Sequence, residues 1–322
     1  MDYVKEGEVD NLSDVDLVYL WVDGTDDAWR KRKATFTQEH YSDVGMNSEA
    51  RYADHQELRY SLRSAEKYAP WIRKIFIVTD RQIPEWLDTS NPKIRIVDHS
   101  EILDPETMPC FNSNVIEHHL HRIPGLSEHF LYANDDMLFN RPVEKKDFFM
   151  ADGYPIVRFN RRLCRKLWLK FLEKGLKKPT NSYNLAIQRS ALLVEKKYGR
   201  YIGHKTHHNI DAYRKSDFLH TFLTFEKEIK ASFKNHIRGD SDVQRNIYSF
   251  VPVVEKKAHV KFVSQKTSFR CHIEKPYYFD RLKKYNPLLF CLNDSEYADA
   301  GSYELMREFL EWKFPEKSSF EK

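Results

Sequence analysis

Four short apolar runs, each closed by a turn or followed by a helix-patterned stretch, constrain this chain most. VDLVYLWV at 15–22 ends in Asp23-Gly24, KIFIVT spans 74–79, KIRIV spans 93–97, and HFLYA at 129–133 ends in Asn134-Asp135-Asp136. A short apolar run that stops at a turn reads as a buried strand. The segments between them read as helices. Residues 26–38 are charged and helical. A second helix opens at Asp54-His-Gln-Glu57, a sequence with the form of a capping box, and carries Leu58, Leu62 and Ala65 as its buried stripe before Pro70 stops it. A third spans 112–122 and ends at Pro124-Gly125. Strands that alternate with helices predict βαβ units, hence an α/β fold with a mainly parallel, Rossmann-like sheet flanked by helices.

The pattern changes after about residue 153. Residues 161–175, 181–198, 212–231 and 242–254 read as helical, two strands are expected at 259–268 and 287–292, and an amphipathic helix covers 303–313. This predicts an α/β core over 1–152 and a mostly helical elaboration over 153–322, which can join in one compact unit. With 322 residues, 41% of them apolar, the chain can bury a sizeable core, which excludes disorder. A net charge of +4 is too mild for a nucleic-acid binder. Cys110, Cys164, Cys271 and Cys291 show no C-x-x-C spacing, so neither a zinc motif nor a disulfide framework is expected. The acidic residues 1–16 do not form a signal peptide, and no stretch reaches the ~20 apolar residues of a membrane span. A cytoplasmic location follows, with the Lys- and Arg-rich residues 166–178 leaving peripheral contact at the inner face of the cell membrane open.

Asn134-Asp135-Asp136 is the most informative polar cluster. It stands at the carboxyl end of a predicted strand, where open α/β sheets bind ligands. Its hard oxygens suit Mg²⁺ or Mn²⁺ held together with phosphates, although an ordinary strand-ending turn uses the same residue types. Asp16 and Asp23 flank the first strand. Asp16 lies in an apolar context, where an ionised carboxylate needs a partner or a ligand. Trp21 can stack on a base or sugar, or pack in the core. Arg51, Arg59 and Arg63 surround the second helix, and the last two, four apart, share a face able to grip phosphate or simply to carry solvated charge. Glu117 and His121 share a helical face and could bind a sugar hydroxyl or relay a proton. His204, His207 and His208 cluster ahead of the helix expected from 212, while Arg238 and Asp242 flank the start of another. A His there could act as general base, and an Arg could neutralise a transferring phosphoryl group.

These clusters occur in a recognisable order. DLVYLWVDGTD at 16–26, a long run over 51–140, HHNIDAYRKS at 207–216 and RGDSDVQRNIYSF at 238–250 resemble four blocks of the Stealth family of sugar-phosphate transferases. The long run includes ELRYSLRSAEKYAPWIRKIFIVTDRQIPEWL and FNSNVIEHHLHRIPGLSEHFLYANDDMLF, and the ending FPEKSSFE at 314–321 is similar to bacterial members. The resemblance implies a GT-A-like, nucleotide-sugar-binding core and an elaboration that completes the active site. It implies transfer of a hexose or N-acetylhexosamine 1-phosphate from a UDP-sugar donor to a hydroxyl of a polysaccharide or oligosaccharide acceptor. UMP would be released, a divalent cation used, and the product would enter a capsule or cell-surface polysaccharide.

Matching positions imply catalytic roles for Asp16, Glu117, Asp136, His208 and Arg238. Trp21, Asp23, Gly24, Arg51, Arg59, Arg63, His121 and Asp242 would bind substrate, and Asn134, Asp135 and Asp136 the metal. The third block departs from the family where Ala212 replaces a frequent Pro and extra His residues flank His208, so the choice among His204, His207 and His208 stays open. Two other readings carry a similar acidic cluster: a metal-dependent glycosyltransferase that releases UDP, and a glycan-binding module without turnover. The nucleotide product separates them.

Overall fold

The predicted strands pair into one sheet, and their order fixes where a ligand can sit. The computed structural model describes residues 12, 14–37, 52–161, 182–239, 241–295 and 297–322. Arg51, Cys164, the basic residues 166–178 and, past Arg161, the helix expected over 161–175 lie outside the described residues. The first strands are β1 (Val15–Leu20), β2 (Ile75–Thr79), β3 (Ile94–Asp98) and β4 (His129–Asn134). They are followed by β5 (Met137–Phe139), β6 (Ile156–Asn160), β7 (Lys205–Thr206) and β8 (Asp211–Arg214). The last are β9 (His259–Phe262), β10 (Ser268–His272) and β11 (Leu289–Asn293).

The main sheet runs β3-β2-β1-β4-β8, parallel except for the antiparallel edge strand β8. Strand order reverses between β1 and β4, the kind of switch point beside whose carboxyl ends open α/β sheets bind ligands. Leu20 registers with Val78 on one side and Asn134 on the other, which brings the turns after all three strands to the same edge.

The first helices are α1 (Asp27–Thr37), α2 (Glu57–Tyr68), α3 (His99–Ile102), α4 (Ser113–Glu117) and α5 (Ser182–Tyr198). The remaining ones are α6 (Lys215–Thr224), α7 (Glu226–Lys230), α8 (Ile247–Val254), α9 (Tyr277–Tyr285) and α10 (Ala300–Lys313). The two faces of the sheet bury separate cores, as alternation along a strand requires. Leu17, Tyr19, Ile75, Ile77 and Leu131 pack against Leu58, Leu62 and Ala65 of α2. Val18, Phe76, Phe130 and Tyr132 face the other way, onto Val115, Phe218, Tyr248 and Phe250.

Three local expectations fail for identifiable reasons. The Asp54–Glu57 box does not form. Gln56 adopts a left-handed backbone, α2 starts at Glu57, and Asp54 and Glu57 accept from the N–H groups of Gln56 and His55 respectively. The single helix expected over 112–122 is only α4 followed by a 3₁₀ turn over Leu120–Arg122, capped at its start by the Asn112 side chain. Residues 212–214, expected to open a helix, extend within β8 because β4 offers a free edge.

Helices dominate the regular structure of 153–322, which also supplies β8 to the main sheet and strands to two three-stranded sheets, β10-β11-β5 and β7-β6-β9. No helix among the described residues is long and apolar enough to cross a membrane. The described cysteines, Cys110, Cys271 and Cys291, are buried free thiols.

Candidate active site

The turn after β1 is locked from two sides. The Asp23 N–H donates to Gln82 Oε1 at 3.0 Å, Gln82 Nε2 returns a bond to the Asp23 carbonyl at 2.9 Å, and Asp23 Oδ1 accepts from the Thr25 N–H. The Gly24 N–H reaches the Tyr52 carbonyl at 2.6 Å, and a Cβ at Gly24 would lie 2.3 Å from that oxygen, so only glycine fits. Trp21 is buried in the core beneath α2.

Beside this turn, carboxyl groups crowd the end of β4. Burial pushes the Glu57 carboxyl up to about 8, with Asp54 and Asp136 adding to the rise. Asp136 is held up at about 6 by burial, with Asp294 also raising it, against lowering by the Cys291 thiol and Arg270. Asp135 lies well above the usual carboxylate range because it is buried beside Asp136, Glu57 and Asp54. Two of the expected metal-binding oxygens are engaged locally: Asn134 Oδ1 accepts from Tyr132 Oη at 2.9 Å, and Asp135 Oδ1 from the Asp136 N–H at 3.1 Å.

Asp136 instead meets groups brought by the second half of the chain. Antiparallel pairing sets Cys291 of β11 opposite Met137, and the Leu292 N–H donates to the Asp136 carbonyl at 2.9 Å. The Cys291 thiol therefore donates to Asp136 Oδ2 at 3.1 Å. His208 completes the group: one donor atom each from Asp136, His208 and Cys291 lies within 4.8 Å of the others. Asp136 Oδ1 is buried with no hydrogen-bond partner among the described residues. A divalent cation fits this donor set and the orphaned oxygen. Arg270, beside Cys291 in the β10/β11 register, is exposed and lies within electrostatic reach of Asp136 and His208. Burial, and then that guanidinium, hold His208 down at about 3, so its imidazole is neutral.

A buried polar network adjoins this cluster. The single Tyr132 Oη proton is shared between Asn134 Oδ1 and Glu117 Oε1, the latter 2.8 Å away. Arg245 lies 4.3 Å over the Tyr132 ring, donates to Asp211 Oδ2 and Tyr213 Oη at 2.7 Å, and approaches Glu117 Oε1 at 3.6 Å. Burial raises the Glu117 carboxyl, while Arg245, Tyr132 and Arg238 oppose the rise. Glu117 Oε2 has no hydrogen-bond partner among the described residues. Arg238 donates to Ser113 Oγ at 2.8 Å, and its loop is shaped by Asp242, whose carboxylate accepts from Asn112, Asn114 and Asn235. Asp242 is thus a loop organiser.

The other expected residues stand elsewhere. Asp16 registers with Phe130 at the amino end of the sheet, where Arg73 grips it at 2.9 and 2.6 Å and the N–H groups of Lys74 and Ser127 complete its shell. That satisfied structural ion pair lies at the opposite edge from Asp136. Arg59 and Arg63 grip the Glu321 carboxylate at 2.5 and 2.7 Å in place of a phosphate. His121 packs between Phe218 and Phe222, since the break after α4 takes it off the Glu117 face. His204 packs on Phe159 and Phe262, and His207 binds Ser268 and Asp211. Sequence reasoning missed Glu57, Asp211, Arg245, Arg270 and Cys291. Of these, Glu57, Asp211 and Arg245 lay in recognised blocks, whereas Arg270 and Cys291 did not.

Residues 13–41 match the model of Stealth protein CR1, conserved region 1, and residues 51–157 that of Stealth protein CR2, conserved region 2. The chain is 34% identical to the capsular polysaccharide phosphotransferase fcs1 of Haemophilus influenzae, over 90% of this chain and 80% of that protein. It belongs to the Stealth family. Another relative, the capsular polysaccharide phosphotransferase LcbA of Aeromonas hydrophila, is 34% identical over 91% of this chain and 82% of its own. A capsular polysaccharide phosphotransferase of Neisseria meningitidis serogroup B is 33% identical over 93% and 82%. The galactosyltransferase LgtC, solved with donor and acceptor sugar analogs, aligns over 94% of this chain and 98% of its own with a TM-score of 0.44 and 12% identity. This Stealth chain is an enzyme of the phosphotransferase kind, and its cleft gathers side chains from both sequence halves.

Proposed function

We propose that this Stealth enzyme transfers a sugar 1-phosphate from a UDP-sugar to a hydroxyl of a growing surface polysaccharide and releases UMP. The observation that carries the reading is the meeting of Asp136 and His208 with the Glu117, Arg238 and Arg245 network at the β1/β4 carboxyl edge. The acceptor oxygen forms a bond to the phosphorus that bears the sugar. The P–O bond to the UMP phosphate breaks, and the hydroxyl proton goes to a base. Phosphoryl transfer needs positioning and charge neutralisation more than covalent catalysis. Arg238 and the exposed Arg270 supply positive charge to the diphosphate. The unpartnered Glu117 Oε2 accepts the hydroxyl proton, with the carboxylate oriented by Tyr132 and Arg245. Asp136, with His208 and Cys291 beside it, would hold a divalent cation, which would supply positive charge to the leaving phosphate. The Asp23-Gly24 turn borders the donor pocket.

The test is incubation with a panel of UDP-sugars and an oligosaccharide acceptor, read by ³¹P NMR. A phosphodiester product with UMP is expected. UDP with a phosphorus-free product would instead establish a glycosyltransferase, and donor left intact would leave only glycan binding.

A further inference from the structure

Beside the carboxyl groups at Asp136 stand a thiol and an imidazole, donors that a magnesium site does not use. Mg²⁺ demands an octahedral shell of oxygens and keeps several waters, while thiolate and imidazole select borderline ions such as Zn²⁺. Asp136 faces one sulfur and one imidazole nitrogen within 4.8 Å. We propose that Asp136, His208 and Cys291 form a tridentate site for a Zn²⁺-class divalent ion, with the remaining coordination position open to a phosphate oxygen of the donor. This deepens the reading of the same cleft and rests on that cleft being the working site.

Bonds of about 2.0–2.3 Å to a tetrahedral ion set its ligands about 3.3–3.7 Å apart. The Cys291 Sγ to Asp136 Oδ2 separation is already 3.1 Å, so closing the set needs small side-chain movements. Backbone pairing holds two of the ligands in place. Cys291 registers with Met137, and the Leu292 N–H bonds the Asp136 carbonyl, so the backbones that carry the sulfur and the carboxylate are held side by side. The loop carrying His208 is fixed on both sides, by His207 and Asn209, which each bond Ser268 Oγ. The Asp136 Oδ1 atom, buried and without a partner among the described residues, supplies the lone pairs that a cation would take. Three protein ligands with one open position is the pattern of a catalytic zinc site. On binding, the Cys291 S–H proton is released to solvent, the sulfur binds as thiolate, and the hydrogen bond to Asp136 is replaced by a shared ion.

The experiment uses the full chain, stripped with chelator and titrated with Co²⁺. A thiolate-to-cobalt charge-transfer band in the near ultraviolet, bleached by stoichiometric Zn²⁺ and unaffected by a large excess of Mg²⁺, is expected. Cys291→Ser should remove the band and weaken Zn²⁺ binding by more than the ~10–100-fold typical of an outer-shell partner. His208→Gln should shift the visible bands and weaken binding similarly, which keeps the test valid if the serine variant fails to fold. A wild-type chain that binds Co²⁺ or Mn²⁺ without a charge-transfer band overturns the proposal, as does unchanged Zn²⁺ affinity in both variants. Failure of phosphotransfer is read separately: UDP as product with the cobalt band present removes the reaction and leaves the site.

Discussion

At the scale of single residues, the cleft is a collection of groups kept in unfavourable surroundings. Asp136→Asn should abolish transfer with a far-ultraviolet spectrum unchanged from wild type, because the amide replaces the anionic oxygen at the centre of the cluster. His208→Ala should lose more than ~10-fold in turnover at nearly constant melting temperature, because the cation proposed at Asp136 loses a direct ligand. His207→Ala should mainly lower the melting temperature, since His207 is bonded to Ser268 and Asp211 in the interior. Measuring rate and thermal unfolding together separates the two. Glu57 gives a pH signature. Its carboxyl rises from 4.5 to about 8, so the folded chain holds a proton that the unfolded chain loses. That contribution to stability is complete below pH 4.5 and is lost as pH rises through about 8. In chelator, the melting temperature should therefore fall between pH 5 and pH 8, and Glu57→Gln should flatten the fall.

At the scale of elements, the ending FPEKSSFE is a strap. Phe320 is buried among Leu87, Ala65 and Ile72, the Asp88 N–H bonds its carbonyl at 2.8 Å, and Glu321 receives both Arg59 and Arg63 from α2. Burial raises the Glu321 carboxyl, but the bonds from Arg63, the Ser318 N–H and Arg59 outweigh it and bring the group down to about 2. A depressed carboxyl stabilises the fold above pH 4.5 and loses that contribution as pH falls through about 2. Glu321→Ala should destabilise the chain by about 3 kcal/mol in urea unfolding at pH 7, the low end for a buried pair because Arg59 keeps 23% of its side chain in solvent. Phosphate affinity should be unaffected, and a tenfold loss would return Arg59 and Arg63 to the substrate site.

At the scale of the molecule, Arg245 joins parts that are far apart in sequence. Its guanidinium contacts Tyr132 on β4, Asp211 on β8 and Glu117 at the end of α4. Removing it leaves two carboxylates uncompensated, so Arg245→Met should cost about 3–5 kcal/mol by urea unfolding and reduce turnover in whatever folds. Arg238→Lys should keep the fold and lose activity, because an ammonium cannot replace a planar fork on phosphate.

The sequence by itself determined the strands β1 to β4, the amphipathic α2 and the placement of Asn134-Asp135-Asp136 at a carboxyl edge. Apolar period and turn residues act over a few positions, and those positions carry them. It also held the family blocks, from which the roles proposed for Glu117, His208 and Arg238 were drawn. Only the tertiary structure decided which of these residues meet. Asp16 and Asp136 look alike as acids beside a strand, yet parallel register sends one to each end of the sheet. Arg59 and Arg63 have the spacing of a phosphate clamp, but a carboxylate 258 residues away reaches Arg63 first. Cys291 gives no local signal at all. It reaches Asp136 because β11 pairs with β5, a contact whose partners lie more than a hundred residues apart and which no pattern within either strand encodes.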